Sequence, residues 1–406
     1  MGIGDEEFGS GNSARTRVAV DDVAIVGAGP AGARAAYALA RRGARVTIFD
    51  ASHPREKPCG GGVTGRALAL VADAVPADAC PASIIRSARF TDSGRGQSAA
   101  VPLDDHGATA RSALLVASRA AFDAALLGAA ERAGAVLVRS RVTNVIIDRD
   151  GVCLETARGS HRAAFVIGAD GANSLVRRTV AAPFGRDQLS IATGFFAHGV
   201  TSDEIVIELT TDPPGYIWSF PRPDHLAIGI CAQADAGIGA GALRKRTADW
   251  IDAFRLARGA RLEPYSWPIP SLRTRDFDAL TLAGPRWALA GDAAGLVDPI
   301  TREGIYFAIA SGQSIADALA AGHPARVYAA RVRDEAVSEL AHAARLKAGF
   351  FRPAFAGLMI GALHQSAGIR AVMADLVAGR QSYATLKWRL LKTFQMGLAW
   401  RALGAR

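Results

Sequence analysis

Apolar residues near the start of the chain form short continuous runs on either side of a longer helical pattern. Residues 23–26 are an unbroken apolar run that ends at Gly27, and residues 45–49 are a second, mainly apolar segment that contains Arg45 and Thr47 and ends at Asp50. Short runs of this kind predict strands that are buried on both faces, as in a parallel sheet. The alanine-rich stretch between them, residues 30–42, predicts a helix. This segment therefore predicts a strand–helix–strand unit.

The later pattern mixes strands and helices and then returns to the first type. A predicted helix at 118–133 is followed by several short strands, and a β-rich stretch covers residues 191–231. A short apolar run at 287–290 and a helical pattern at 304–321 come next, and most of 327–348 and the remainder is helical. This order predicts an α/β fold, in which a doubly wound, Rossmann-like domain carries an inserted β-rich domain and a helical C-terminal part.

The predicted boundaries divide the chain into four parts. They are a disordered tail at 1–20, a discontinuous nucleotide-binding domain at 21–80, 112–182 and 284–325, a substrate domain at 81–111 and 183–283, and a helical C-terminal region at 326–406. The tail is polar and lacks the apolar core of a secretion signal. No apolar run reaches the roughly 18 residues that a membrane-spanning helix needs. The four cysteines form neither a CxxC pair nor a zinc pattern, so we expect a cytoplasmic protein with reduced thiols.

The formal net charge of +9 is concentrated in the C-terminal region. Residues 340–406 contain ten basic side chains and one acidic side chain, Asp375, so the rest of the chain is formally neutral. The high charge therefore does not indicate a nucleic-acid partner for the main body, and none is expected. A basic and apolar C-terminal segment suits an anionic membrane surface.

The segment 382–406 supports two interpretations. Its apolar residues at helical spacing are Leu391, Phe394 and Leu398, its flanking tryptophans are Trp388 and Trp400, and its basic residues include Lys387, Arg389, Lys392 and Arg401. One interpretation is a helix that contacts the inner face of a membrane peripherally and brings the enzyme to a lipid substrate. The other is a helix that packs on the body of the protein and exposes its basic side chains.

A glycine-rich motif connects the first predicted strand to the first predicted helix. Its residues are Gly27, Ala28, Gly29, Pro30, Ala31 and Gly32. The first glycine permits a tight turn, the second permits close approach of a pyrophosphate, and the third permits close packing of helix and strand. Asp50, at the end of the second strand, can accept hydrogen bonds from ribose hydroxyls. The motif and Asp50 together predict a dinucleotide site.

Two later motifs narrow the choice of dinucleotide. One spans residues 168–174, and the other begins with Gly291 and Asp292, continues to Gly295 and is followed by Gly304. With these motifs the chain resembles the superfamily of FAD-dependent oxidoreductases that includes the aromatic hydroxylases.

This resemblance implies specific roles for individual residues. Asp292 would bind the ribityl or pyrophosphate part of FAD, and Gly304 and Ile305 would bring a helix N-terminus to the flavin. Arg119 matches a position that contacts FAD, and the alternative for it is an ordinary surface charge. Asp170 is expected to be structural and to tie together the strands beneath the cofactor.

A narrower resemblance comes from two further segments. Residues 57–63 read KPCGGGV, and residues 214–221 read PGYIWSFP. Both are similar to signature segments of the geranylgeranyl reductase family. This resemblance implies that the loop formed by Cys59, Gly60, Gly61 and Gly62 lies against the flavin and binds it. It also implies that Tyr216, Trp218 and Phe220 line a cavity for a prenyl substrate. These three residues alternate along a strand and so share one face.

Cys59, Gly60 and Gly61 are the predicted catalytic residues. A thiol is mostly protonated at neutral pH, so Cys59 could donate a proton, and the alternative is a buried cysteine that acts as a small apolar residue. His53 and His225 are expected to be isolated. No His, Asp and Glu cluster has the spacing of a metal site, so no metal is predicted.

These observations predict an FAD-dependent reductase that saturates carbon–carbon double bonds of an isoprenoid, geranylgeranyl-type chain by hydride transfer and proton donation. The alternative is a flavin-dependent monooxygenase or halogenase that acts on a small aromatic or secondary metabolite. A third class, a non-catalytic flavin protein or electron carrier, would not need an inserted domain lined by aromatic residues. The expected partners are an isoprenoid or lipid substrate and an electron donor, either NAD(P)H or a ferredoxin-like protein.

Overall fold

The computed structural model of the 406-residue chain describes residues 21–76, 79–103, 114–321 and 324–403. The strands are β1 (Asp21–Val26), β2 (Val46–Phe49), β3 (Gly62–Val63), β4 (Ala82–Ile85), β5 (Ser87–Asp92), β6 (Gln97–Pro102), β7 (Leu114–Ala117), β8 (Val136–Val138), β9 (Val142–Ile147), β10 (Val152–Thr156), β11 (Gly159–Gly168), β12 (Leu189–His198), β13 (Glu204–Thr211), β14 (Pro214–Pro221), β15 (His225–Gln233), β16 (Arg261–Pro270), β17 (Ala283–Gly284) and β18 (Trp287–Leu289). The helices are α1 (Pro30–Ala40), α2 (Gly65–Val71), α3 (Arg119–Arg132), α4 (Leu175–Val180), α5 (Ala240–Phe254), α6 (Thr274–Asp278), α7 (Ile305–Ala320), α8 (Pro324–Val332), α9 (Ser338–Phe350), α10 (Pro353–Gln365), α11 (Ala367–Val377) and α12 (Tyr383–Leu403).

The first sheet is built around β1. Strand β1 pairs in parallel with β2 and β11, β2 continues to β8, and β11 continues to β18. Helix α1 packs against both α3 and α7. Val23, Ile25 and Ile48 are at most 4% exposed, because the sheet is buried between the helices and the rest of the chain. The predicted strand–helix–strand unit is confirmed, and the residues that follow β1, β11 and β18 are brought to one edge of the sheet.

The second sheet has the strand order β16-β12-β15-β14-β13-β5-β6. Its pairs are antiparallel except that between β13 and β5. Strand β4 falls in the segment 81–111 that we expected to belong to the substrate domain. It pairs instead with β7, which also pairs with β3, in a small third sheet. The α/β class with an inserted β-rich part is confirmed, whereas the domain boundaries stay a prediction.

The C-terminal helices pack on the outer strands of the second sheet. Helices α10 and α11 contact β6, and α10 also contacts β5 and β13. Within the described ranges, no single helix is long and apolar enough to cross a membrane. One bent pair of segments, Pro324–Phe350 and Pro353–Gln365, reaches that threshold only when the two are taken together.

Helix α12 has a packed side and an exposed side. Tyr383 and Leu386 are buried in a cluster with residues of α10 and α11, as expected for a helix that packs on the body. Trp388 is 69% exposed and Leu391 is 42% exposed, and they form part of the outer side. The buried side agrees with the second interpretation of 382–406, and contact with a membrane stays a prediction. The tail 1–20 and the side chains at 394, 398 and 400 lie outside the described residues.

Candidate active site

The turn after β1 is shaped by its glycines. Gly27 has a φ of +102°, and a Cβ there would lie 2.3 Å from the Ala169 carbonyl oxygen. A Cβ on Gly32 would lie 2.0 Å from the Gly27 oxygen. By contrast, a Cβ on Gly29 would meet only His53 Nε2, at 3.8 Å. The turn is therefore closed on two sides and open at Gly29, where the backbone and the N-terminus of α1 can approach an anionic group.

Asp50 directly follows β2 and is hydrogen-bonded to this turn. Its Oδ2 accepts a hydrogen bond from the Ala28 N–H at 2.9 Å, and its Oδ1 accepts one from the Ser52 N–H at 2.8 Å. Burial acts to raise the pKa of Asp50, but the hydrogen bond and charge of His53, together with these N–H donors, outweigh it and hold the pKa well below its usual value. The carboxylate is therefore charged and oriented at the edge of the sheet.

His53 is not isolated, and the prediction that it would be is wrong. Its Nδ1 lies 2.9 Å from Asp50 Oδ2, and its Nε2 lies 3.5 Å from Asp123 Oδ2. Asp123 also pairs with Arg119, whose Nε and Nη2 donate to its carboxylate at 3.0 and 2.9 Å. Burial acts to lower the pKa of His53, but the two carboxylates raise it overall. A buried row of alternating charges thus runs from the second strand to helix α3.

Arg119 is only 3% exposed, so the interpretation as an ordinary surface charge is wrong.

Among the described residues no group of three His, Cys, Asp or Glu side chains could hold a metal ion. His225 also has partners, since its Nδ1 lies 2.7 Å from Asp224 Oδ1 and its Nε2 lies 3.3 Å from Arg222 Nη1. The spacing of these residues along the chain did not reveal the contacts.

The later motifs meet the glycine turn at the same edge. Asp292 pairs with Lys57, with Nζ and Oδ2 3.1 Å apart. Helix α7 begins at Ile305 with Gly304 as its N-cap. Asp170 accepts a hydrogen bond from the Leu175 N–H at 2.6 Å, so its structural contact is with the first turn of α4 and not, as expected, between strands beneath the cofactor.

A cavity of about 590 Å³ lies between these elements. It is lined by most of the predicted cofactor-binding residues, namely Gly27, Gly29, Pro30, Ala31, Asp50, Cys59, Arg119, Gly291, Asp292, Gly304 and Ile305. The other predicted cofactor-binding residues, Ala28, Gly32, Gly60, Gly61, Gly62 and Gly295, do not line it. Gly32 is needed for packing, Ala28 donates to Asp50, and a Cβ on Gly295 would lie 2.8 Å from Leu272. These three residues shape the cavity, and their contacts with a cofactor stay predictions.

A second, apolar cavity of about 180 Å³ adjoins the first. The predicted substrate residues Tyr216, Trp218 and Phe220 line it, together with Gly60, Gly61 and Gly62. Both cavities are lined in part by the same residues, which are Cys59, Ile269, Arg302, Gly304 and Ile305. The cysteine–glycine loop is therefore the boundary between a polar cavity and an apolar one.

The C-terminal helices complete the apolar cavity. Phe350 of α9, the adjacent Phe351, and Met373, Leu376 and Val377 of α11 all line it. Sequence reasoning missed these residues, because they lie more than 100 positions from the aromatic segment and share no motif with it. Helical periodicity alone indicates only that such residues are buried, not what they face.

Arg222 holds the cysteine–glycine loop in place and was also missed. Its side chain is fully buried, its Nη2 donates to the Cys59 carbonyl at 2.5 Å, and its Nη1 pairs with Glu56. Glu56 also accepts hydrogen bonds from the Ser118 hydroxyl at 2.6 Å and the Arg119 N–H at 3.0 Å. The sequence does contain one indication of this pair. Arg222 directly follows the aromatic segment 214–221, and Glu56 directly precedes the cysteine segment 57–63.

Comparison with known proteins places this geometry in a family. A family model described as an FAD binding domain matches residues 21–325. The chain is 31% identical over 328 residues to the geranylgeranyl diphosphate reductase of Rhodobacter capsulatus, covering 76% of this chain and 78% of that protein. The chain belongs to the geranylgeranyl reductase family of FAD-dependent oxidoreductases. It is also 30% identical over 324 residues to the menaquinone reductase of Mycolicibacterium smegmatis, covering 74% and 76% of the two chains.

Solved structures share the fold of this reductase-family member. A geranylgeranyl bacteriochlorophyll reductase-like protein from Thermoplasma acidophilum matches with a TM-score of 0.75 and 21% identity, covering 92% of this chain and 99% of that one. A flavin-dependent brominase matches with a TM-score of 0.70 and 20% identity, covering 93% and 100%. At this identity the likeness shows the fold alone, and that fold is common to both candidate functions.

The protein is an FAD-dependent oxidoreductase, and the residues present fit the cofactor. The open side of Gly29 and the N-terminus of α1 suit a pyrophosphate, and the charged Asp50 suits ribose hydroxyls. The N-terminus of α7 at Ile305 supplies a positive dipole end at the far part of the cavity. The individual contacts of these residues with FAD stay predictions.

Proposed function

We propose that this enzyme saturates carbon–carbon double bonds of an isoprenoid chain held in the apolar cavity. The observation that supports this most directly is that the apolar cavity adjoins the FAD-type cavity at the Cys59 loop. A long unsaturated chain needs an apolar, water-poor cavity, and its reacting carbon atoms must reach the cofactor. The names of the reductase relatives support the same substrate class.

Reduced FAD, when bound, supplies a hydride, which is two electrons and one proton. Saturation of an isolated double bond also needs a second proton, since the two carbon atoms gain two hydrogens in total. The chain must therefore orient the alkene, exclude water and hold a proton near the carbon that does not receive hydride.

The aromatic residues orient the chain. The rings of Tyr216 and Trp218 lie 5.5 Å apart between centroids, and the Tyr216 hydroxyl donates to the Thr301 carbonyl at 2.7 Å. A Cβ on Gly60 would lie 3.0 Å from the Phe220 ring, so the glycine allows that ring to contact the loop. Electron-rich ring faces beside the alkene would also stabilise positive charge that develops during protonation.

Cys59 is the proposed proton donor. Its Sγ accepts a hydrogen bond from the Gly61 N–H at 3.3 Å, and the residue lines both cavities. The Arg222 guanidinium fixes the Cys59 carbonyl and thereby the position of the thiol. The proton would leave Sγ for the alkene carbon, and the resulting thiolate would be reprotonated from solvent.

Replacement of the thiol tests this role. We expect Cys59→Ser to retain FAD and to slow alkene reduction by about 100-fold, because a positioned general acid typically contributes that much or more. The measurement is single-turnover reduction of a prenyl substrate by the pre-reduced enzyme. Cys153→Ser, on strand β10 away from both cavities, is the matched control. An unchanged rate in Cys59→Ser would remove the thiol from the mechanism.

The reaction class is tested with the reduced holoenzyme without oxygen. Geranylgeranyl diphosphate and menaquinone are added separately, flavin oxidation is followed by absorbance, and products are analysed by mass spectrometry. We expect one H₂ equivalent to be added to the prenyl chain for each flavin oxidised. Flavin oxidation that requires oxygen, with a hydroxylated or halogenated product, would support the monooxygenase or halogenase alternative instead.

We also propose that the enzyme contacts membranes peripherally through α12. The exposed Trp388 and Leu391 lie beside Lys387 and Lys392, a combination that suits an anionic lipid surface. We expect co-sedimentation with vesicles that contain anionic lipid, reduced at least threefold by Trp388→Ser. Equal binding of the wild type and variant would leave α12 without this role.

A further inference from the structure

Two basic side chains converge on one serine, and one of them, Arg302, lines the apolar cavity. Arg302 Nη1 donates to Ser271 Oγ at 2.7 Å, and Lys347 Nζ donates to the same oxygen at 2.8 Å. Lys347 also donates to Gln233 Oε1 at 2.7 Å, and Ser271 donates to that oxygen at 2.9 Å. The serine hydroxyl therefore accepts from both cations and donates to the glutamine, which fixes the two positive charges close together.

Neither cation has a carboxylate partner within 4 Å among the described residues. The nearby Asp235 pairs with Arg273, with Oδ2 and Nη2 2.9 Å apart. Asp298 accepts from the Tyr383 hydroxyl at 2.7 Å and from the backbone N–H of Ile300 at 2.7 Å. Across the described part of the chain, the buried Arg302 Nε has no hydrogen-bond partner. Two adjacent positive charges without a counter-charge are costly unless an anion joins them.

The pair is joined to the substrate cavity through Arg302. Arg302 lines both cavities and follows Thr301, the residue whose carbonyl accepts from Tyr216. Lys347 lines neither cavity, but it shares Ser271 with Arg302 and lies three residues before the cavity-lining Phe350 on α9. A ligand whose apolar chain lies along the aromatic side chains could place a charged end near these two cations.

We propose that Arg302 and Lys347 form a subsite for the phosphate or diphosphate group at the head of a prenyl substrate. This inference rests on the proposed function, and it specifies which end of the substrate this cavity recognises. The planar guanidinium offers paired N–H donors that suit phosphate oxygens, and the ammonium adds a compact charge beside it. A neutral quinone head would leave both charges without a counter-ion.

The protonation state of Lys347 makes the subsite sensitive to pH. Burial is the main cause that lowers its pKa to about 7, and the charges of Arg302 and Arg273 lower it further, while Cys231 and Asp235 act in the opposite direction. The ammonium is present below that pH and is lost as the pH rises above it. Affinity for an anionic head should therefore fall between pH 7 and pH 9, although the phosphate itself becomes more negative over that range. A bound anion should raise the pKa of Lys347.

The test compares two ligands that share one prenyl tail. Geranylgeranyl diphosphate and geranylgeraniol are titrated into the oxidised holoenzyme, and dissociation constants are measured at pH 6.5 and pH 9. We expect the diphosphate to bind about tenfold or more tightly than the alcohol at pH 6.5, as charged hydrogen bonds allow. Lys347→Gln should remove most of that difference without changing affinity for the alcohol, and Lys347→Arg should restore it at both pH values.

A surface lysine is the matched control. Lys245 is 76% exposed and pairs with Asp249, so Lys245→Gln should change neither affinity. Equal binding of diphosphate and alcohol by the wild type would overturn the subsite while leaving the prenyl cavity supported. A Lys347→Gln variant that weakens both ligands equally would also overturn it.

Inorganic pyrophosphate separates failure of the subsite from failure of the proposed function. Its binding to the holoenzyme, weakened at least tenfold in Lys347→Gln, would support the anion subsite even if neither prenyl ligand bound. In that case the proposed prenyl function would fail and the subsite would stand. Pyrophosphate binding that is absent or unaffected by Lys347→Gln would overturn the subsite.

Discussion

The two adjoining cavities are built in different ways. The larger one is lined by glycines, charged groups and helix N-termini, mostly from segments that directly follow β1, β2 and β18. The smaller one is lined by apolar side chains from strands β13 and β14 and from the distant helices α9 and α11. The first depends on backbone geometry that few residues permit, whereas the second depends on side-chain size. A change in the first should therefore abolish function, and a change in the second should alter the choice of substrate.

The largest effect is expected at the glycine turn. In Gly32→Val the new side chain would meet the Gly27 oxygen, only 2.0 Å from the Cβ position, so α1 cannot pack against β1. We expect loss of FAD from the purified protein and destabilisation by about 3 kcal/mol or more, since the overlap is with backbone. Flavin content and urea denaturation measure this. Gly241→Ala in α5, where the added Cβ has no neighbour within 4 Å, should change neither.

A comparable loss of stability, but a smaller effect on function, is expected at the junction of the two cavities. Arg222→Met leaves Glu56 without its buried partner and the Cys59 carbonyl without its donor. Breaking a buried ion pair typically costs about 3–5 kcal/mol, so we expect a clear fall in stability and slower catalysis. The measurement is urea denaturation, with Arg89→Met as the control. Arg89 is 42% exposed, and loss of its pair with Glu204 should cost less than about 1 kcal/mol.

If Arg222→Met were no more destabilising than Arg89→Met, the loop would be held by its glycines alone. The two cavities would then be independent units rather than units joined by one buried charge pair. A fall in stability without any change in turnover would limit Arg222 to a structural role.

The smallest effect is expected in the apolar cavity. Val377→Trp should shorten the space available to a prenyl chain, because Val377 lines the cavity at the end of α11. We expect KM for a geranylgeranyl substrate to rise about tenfold while FAD content and the KM for a shorter geranyl substrate stay unchanged. Val377→Ala, which enlarges the same region, is the control. An equal rise in KM for both substrates would mean that α11 does not determine which prenyl chain length the cavity accepts.

Much of the larger cavity could be predicted from the sequence. The glycine turn, Asp50 and the segment 291–305 each lie within or beside one strand–helix connection. Their geometry follows from the residues next to them, because a tight turn or a helix N-terminus is local. The spacing alone does not distinguish the two reasons for a required glycine, which are contact with a ligand and close packing of the backbone. The structure shows the close packing at Gly32 and Gly295, and their contact with the cofactor stays a prediction.

The sequence by itself determined the α/β class, the cofactor-binding strand–helix unit and the aromatic segment of β14. Only the tertiary structure decided that His53 lies between two carboxylates, that Arg222 holds the Cys59 loop, and that Lys347 joins Arg302 at Ser271. The physical reason is sequence separation. Hydrogen bonds and apolar periodicity within a few residues are readable along the chain. Partners that are 31 to 163 positions apart, as Arg302 is from Ser271 and Arg222 from Cys59, meet only when the sheets and C-terminal helices pack together.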